Sequence, residues 1–112
     1  MGAFRIDPVQ HADGPHAWRL AVTGDLDAST IDVFNQTMDD VIAGGGRLVV
    51  LDLGAIGFLD STGLRGIVRA SNLLAAHDGR LTVAGLSGAA ERVLELTGLL
   101  ERLRDPDPRT PT

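Results

Sequence analysis

The chain contains no cysteine and no lysine, and both absences limit what it can do. Without cysteine there can be no disulfide, no thiolate nucleophile and no cysteine-bound zinc or iron–sulfur centre. All 10 basic residues are therefore arginines, and they are scattered along the chain rather than gathered in a patch. Together with a formal net charge of −5, this distribution argues against nucleic-acid binding.

Long apolar runs are absent as well. No segment approaches the roughly 20 apolar residues that cross a bilayer, and residues 1–7 lack the apolar core of a signal peptide. We therefore expect a soluble cytoplasmic protein with no direct membrane insertion. The three histidines, His11, His16 and His77, are far apart in sequence, so we expect neither a metal site nor another cofactor.

What the sequence does contain is an alternation of strand and helix patterns. Two short strands near 4–7 and 18–23 are predicted to form an antiparallel hairpin, and further strands are predicted at 47–53 and 80–85. The pattern predicts a single α/β domain. We expect a mixed, mostly parallel sheet of about four or five strands, with the helices packed mainly on one face.

Three helices are predicted from apolar residues at helical spacing. The first begins near Ser29, the second follows the turn at 60–63, and the third runs from Ser87 to Gly98. The predicted buried stripe of the second helix consists of Leu64, Ile67, Val68, Ser71, Leu74 and Ala75. We place the domain at 1–104 and predict that the polar, proline-rich tail at 105–112 is disordered.

Three loops are expected to meet at one edge of the sheet, because parallel strands end along the same edge. They lie at 24–29, 58–62 and 86–88. These loops carry hydroxyls and carboxylates but no histidine and no nucleophile paired with a base. An enzyme is therefore disfavoured, and a binding protein is the better interpretation.

Two adjacent hydroxyls, on Ser61 and Thr62, lie where the second helix should begin. A helix start offers unpaired backbone N–H groups and a partial positive charge to an anion. Side chains of these types, and that of Asp60, also cap helices, and from the residues alone capping is the simpler interpretation. Asp25 and Asp27 are equally open to two interpretations, as turn formers or as site residues.

Four short motifs point to a known family: GDLD at 24–27, LDL at 51–53, FLDSTGL at 58–64 and VLELTGL at 93–99. In order and spacing they resemble the STAS domain of bacterial anti-sigma factor antagonists. The resemblance implies a partner that is both an anti-sigma factor and a serine kinase. The unphosphorylated antagonist would bind this kinase and free a sigma factor for transcription, and a cognate phosphatase would reverse the phosphorylation.

The resemblance also assigns the site. Ser61 would be the phosphate acceptor, because it follows the aspartate of the motif. The partner-binding surface would comprise Asp25, Asp27, Asp60, Ser61, Thr62, Gly63, Leu64 and Arg65. Arg65 stands where many family members have a small residue, which leaves the identity of the partner open.

Two alternatives have to be weighed against this assignment. One is a STAS subunit that is not phosphorylated, similar to the small cytoplasmic component of lipid-transport ATPase complexes. Those subunits often carry Thr-Ala at the positions of Ser61 and Thr62. The other is a phosphoaspartate receiver using Asp52, but such receivers rely on a lysine and this chain has none.

Overall fold

The fold is seen in a computed structural model that describes residues 4–10, 14, 16–86 and 88–103. Within these residues eight elements follow one another: β1 Arg5–Gln10, β2 Ala17–Leu26, α1 Ile31–Ala43, β3 Leu48–Leu59, α2 Ser61–Ala76, β4 Arg80–Ala84, α3 Gly88–Leu96 and α4 Leu99–Leu103. The predicted cap at Ser87 and the predicted tail at 105–112 lie outside the described residues.

The four strands form one sheet in the order β1-β2-β3-β4. β1 is antiparallel to β2, whereas β2 and β3, and β3 and β4, are parallel. This arrangement confirms the predicted hairpin and the mixed, mostly parallel sheet. In the described part of the chain, no helix is long and apolar enough to span a membrane.

Burial alternates along the two central strands, so one face of the sheet is covered and the other is partly open. Leu20 and Val22 on β2, and Leu51 and Leu53 on β3, are buried, while the residues between them are only partly buried. The helices complete this core with Phe34, Met38, Ile67, Leu74 and Leu94. The exception is β4, whose consecutive residues 81–83 are all buried.

The buried face of α2 differs from the predicted stripe. Ile67 is buried as predicted, but Ala75 is exposed, and Gly63 and Gly66 are buried. A Cβ on Gly66 would overlap the end of the Ile31 side chain on α1. A hydrophobic stripe fails to identify these positions because glycine contributes no side chain to the pattern.

β3 continues to Leu59, beyond the strand predicted at 47–53. Its pairing with β2 shifts register twice, across Gly54 and across Gly57. Bulges of this kind are common next to functional sites. Only the first half of β3 pairs with β4. The bulged second half of β3 therefore extends beyond β4 toward the start of α2.

Candidate functional site

The start of α2 is capped by Asp60, and the helix begins at Ser61. The prediction that the helix begins at the two hydroxyls is therefore confirmed, whereas the turn predicted at 60–63 is too long, because 61–63 are already helical. The Asp60 carboxylate accepts a hydrogen bond from the backbone N–H of Gly63 at 2.9 Å. The backbone N–H of Leu64 donates to the carbonyl oxygen of Asp60 at 2.9 Å. Asp60 provides the cap, so neither neighbouring hydroxyl is needed for it.

Ser61 occupies the first position of the helix and is exposed. Its hydroxyl forms no hydrogen bond with any residue that the structure describes, and the same holds for the hydroxyl of the half-buried Thr62. The first backbone hydrogen bond of α2 belongs to Leu64, so the N–H groups of Ser61 and Thr62 lie among the unpaired donors of a helix start. An anion attached to Ser61 would meet these donors and the positive end of the helix dipole.

Gly63 lets the start of α2 lie directly against the end of β2. The N–H of Asp60 donates to the carbonyl oxygen of Leu26 at 3.4 Å. A Cβ on Gly63 would overlap that same oxygen and would lie 2.8 Å from Cδ1 of Leu59. Gly63 is buried, so its role in the site is to bring Ser61 beside the loop that follows β2.

That loop is folded by Asp27. Its carboxylate accepts hydrogen bonds from the hydroxyl of Ser29 at 2.6 Å and from the backbone N–H of Ser29 at 2.9 Å. These hydrogen bonds lower the pKa of the Asp27 carboxyl, and the one from the Ser29 hydroxyl has the largest effect. The turn-forming interpretation of Asp27 thus accounts for its carboxylate.

Asp25 differs from Asp27 and Asp60 because its carboxylate has no structural task within the described residues. It is exposed, and it is absent from the side-chain hydrogen bonds and ion pairs of the described part of the chain. Its Oδ1 lies over Gly57, where a Cβ would be 3.0 Å away. Asp25 is therefore available to a partner.

Phe58 is a surface residue that the sequence analysis did not assign to the site. It pairs with Asp25 across the two central strands and is 50% exposed. Leu59, next to it, is 4% exposed and belongs to the core. Because neighbouring strand residues point to opposite faces, Phe58 points away from the core. Alternation with Leu59 was the signal that could have identified it.

Arg65 and Leu64 complete the predicted partner-binding residues. Arg65 is exposed and forms no ion pair with any residue that the structure describes. Leu64 is partly buried and packs against the core. The structure therefore brings Asp25, Asp27, Ser61 and Arg65 to one end of the sheet, with Gly63 beneath them.

Asp52 supports this end of the sheet from outside the site. Its carboxylate accepts from Arg19 Nη2 at 2.8 Å and from the backbone N–H of Gly54 at 2.9 Å. The Gly54 hydrogen bond and the Arg19 guanidinium together lower the pKa of the Asp52 carboxyl, in spite of partial burial. A Cβ on Gly85 would lie 2.5 Å from the same carboxylate. Asp52 thus fixes the first bulge of β3.

The STAS domain family model matches residues 10–109. The chain belongs to the STAS domain family. This STAS domain is 32% identical over 80 residues to the anti-sigma-B factor antagonist of Listeria monocytogenes, covering 71% of this chain and 70% of that protein. The recognition from the four motifs is therefore confirmed.

Solved structures confirm the fold class of this STAS domain. An anti-sigma factor antagonist from Mycobacterium paratuberculosis matches it with a TM-score of 0.79 at 26% identity, covering 90% of this chain and 83% of that chain. The Bacillus cell fate determinant SpoIIAA in its phosphorylated form matches with a TM-score of 0.70 at 18% identity, covering 96% and 93%. The second likeness concerns the fold alone.

Proposed function

We propose that this STAS domain is an anti-sigma factor antagonist controlled by phosphorylation of Ser61. In the unphosphorylated state it binds an anti-sigma factor that is also a serine kinase, and a sigma factor is freed. A cognate phosphatase restores this state after phosphorylation. The observation that carries the proposal is an exposed serine at the first position of α2, whose hydroxyl forms no hydrogen bond with the described residues. It lies in the FLDSTGL segment, which resembles the antagonist motif.

The exposure of the two hydroxyl residues supports Ser61 over Thr62 as the acceptor. Ser61 is exposed, whereas Thr62 is half-buried. A kinase must surround the accepting hydroxyl, so the residue nearer the loop is the better substrate. The cap does not compete for the Ser61 hydroxyl, because the Asp60 carboxylate already occupies the Gly63 N–H.

A phosphate on Ser61 should leave the fold intact. It adds a charge of about −1.5 to −2, and the start of α2 provides unpaired N–H groups and the positive end of the helix dipole to accommodate it. The fold is compatible with the modification, since one protein that shares it is a phosphorylated form. The switch would therefore act on the surface rather than on folding.

Phosphorylation would weaken binding by concentrating negative charge where the partner has to approach. Asp60 precedes Ser61, and the loop with Asp25 and Asp27 lies beside the start of α2. A partner would have to desolvate the phosphate or leave it unpaired in the interface. That cost amounts to several kcal/mol, enough to lower affinity about a hundredfold or more.

Phosphate transfer tests the assignment of the acceptor. The purified protein is incubated with ATP and, in turn, each anti-sigma factor serine kinase of its source organism, and the products are analysed by intact mass and phosphopeptide mapping. We expect a single phosphate on Ser61, lost in Ser61→Ala and retained in the matched variant Thr62→Ala. A phosphate on Thr62 would refute the acceptor. No transfer by any of these kinases would favour the alternative, a STAS subunit that works without phosphorylation.

A further inference from the structure

Phe58 and Asp25 form an exposed pair at the outer end of the two central strands. They are cross-strand neighbours in the β2–β3 pairing. Phe58 is 50% exposed and is not among the hydrophobic residues packed against the core. Residues 54, 55 and 57 of the same strand are exposed as well, so nothing in the described chain covers this part of β3 completely.

Neither side chain of the pair belongs to the hydrophobic core or to a hydrogen bond or ion pair among the residues that the structure describes. Leu59 supplies the core contact at the end of β3, while half of the Phe58 surface stays open to solvent. Among the acidic residues of this edge, Asp27 folds its own loop and Asp60 caps α2. Only Asp25, of these three, keeps its carboxylate free of hydrogen bonds to the residues that the structure describes.

We propose that Phe58 is the apolar anchor of the interface with the anti-sigma factor kinase, and that Asp25 is its charged rim contact. The inference rests on the proposed function and specifies the partner's surface: an apolar pocket that takes the Phe58 ring, bordered by an arginine or lysine that pairs with Asp25. Buried aromatic anchors surrounded by polar rims are the usual source of binding energy in such interfaces.

We assign the kinase to this surface because Phe58 lies close to Ser61. Phe58 and Ser61 are three positions apart along the chain, which limits their Cα atoms to a distance of about 11 Å. An interface of ordinary size covers roughly 800 Å² on each partner. A kinase that seats its pocket on Phe58 therefore also covers Ser61, so the anchor and the phosphate acceptor share one footprint.

Calorimetric titration of the kinase that phosphorylates the protein tests the anchor. Phe58→Ala should weaken binding at least tenfold, and Phe58→Leu should recover part of the loss. The matched control is Leu48→Ala, at the opposite end of the same strand, where the side chain is 55% exposed; its affinity should equal that of the wild type. Circular dichroism on the same samples establishes that each variant is folded.

Asp25→Asn provides a second and independent measurement, because it changes charge and hardly changes volume. It should weaken binding severalfold and reduce the dependence of affinity on salt concentration, as expected for the loss of one interfacial ion pair. If Phe58→Ala does not fold, this variant decides: an unchanged affinity and salt dependence would overturn the proposal.

Failure of the anchor can be told apart from failure of the proposed function. If the wild type binds the kinase and Phe58→Ala binds equally well, the anchor is wrong while the proposed function stands. If the wild type binds none of the anti-sigma factor kinases of its source organism, both are wrong. Equal losses in Phe58→Ala and Leu48→Ala would also overturn the anchor, because the effect would then not belong to this end of the strand.

Discussion

The carbonyl oxygen of Leu26 occupies the space in which a side chain on Gly63 would begin. At this point the backbone of α2 lies directly on the end of β2. The contact sets the position of Ser61 relative to the loop that carries Asp25 and Asp27. A single glycine therefore connects the packing of the domain to the geometry of its candidate site.

Gly63→Ala should destabilise the protein by about 1–3 kcal/mol, because the added methyl group meets a backbone oxygen that cannot move easily. At most helix positions the same change is favourable by up to about 1 kcal/mol, so the sign of the effect is informative. Gly66→Ala is the matched control: its methyl group would meet the flexible end of Ile31, and the loss should be smaller. Urea unfolding measures both, and a stabilised Gly63→Ala variant would contradict the contact.

Asp60→Ala should cost about 1 kcal/mol of unfolding free energy, since it removes the side-chain cap of α2. Ser61→Ala should change stability by less than about 0.5 kcal/mol. From the sequence alone, a capping loss would also have been expected for Ser61. Thermal or urea unfolding of the two variants side by side distinguishes these assignments, and equal losses would show that the cap is shared.

Asp52 should make stability depend on pH. Its pKa in the folded protein lies below the ordinary value of 3.8. The stabilisation is therefore complete above the unfolded pKa and is lost as the pH falls through the folded one. At neutral pH, Asp52→Asn should cost about 0.5–1 kcal/mol, a small value because the pair with Arg19 is half-exposed. The difference in unfolding free energy between wild type and variant should shrink as the pH falls below 3.8. A difference that stays constant with pH would mean that the loss comes from packing.

Ile67→Ala should cost roughly 2–5 kcal/mol, through the lost transfer free energy and the cavity left behind. Ile67 is fully buried on the face of α2 that lies on the sheet. Chemical denaturation gives the value directly. A loss below about 1 kcal/mol would mean that the site collapses around the smaller side chain.

The order of the strands and helices could be predicted from the sequence because the spacing of the apolar residues determines it. Apolar and polar residues alternate on the hairpin strands, and apolar residues recur at helical spacing around Ile67. Both patterns arise because the apolar side chains are buried. The predicted domain limit at 104 depends instead on the composition of the tail, and it stays a prediction. The short helix α4 escaped prediction, although Leu100 and Leu103 are buried.

The features that were missed depend on glycines and on strand register. Gly54 and Gly57 interrupt the apolar pattern of β3, so the strand was ended too early. Each shift adds one residue to β3, and two shifts together restore the original alternation of faces. Leu59 therefore returns to the core and Phe58 faces outward, which a pattern that stops at residue 53 cannot reveal.

The central claim is that phosphorylation of Ser61 controls partner binding without unfolding the domain. Calorimetric titration of the kinase with unphosphorylated and authentic phospho-Ser61 protein, with circular dichroism on the same samples, tests it most directly. We expect the phosphorylated form to keep its helix content and to bind about a hundredfold more weakly or worse, and Ser61→Ala to bind like the unphosphorylated wild type. Undiminished binding of the phosphorylated protein, or weakened binding accompanied by loss of helix, would contradict the account.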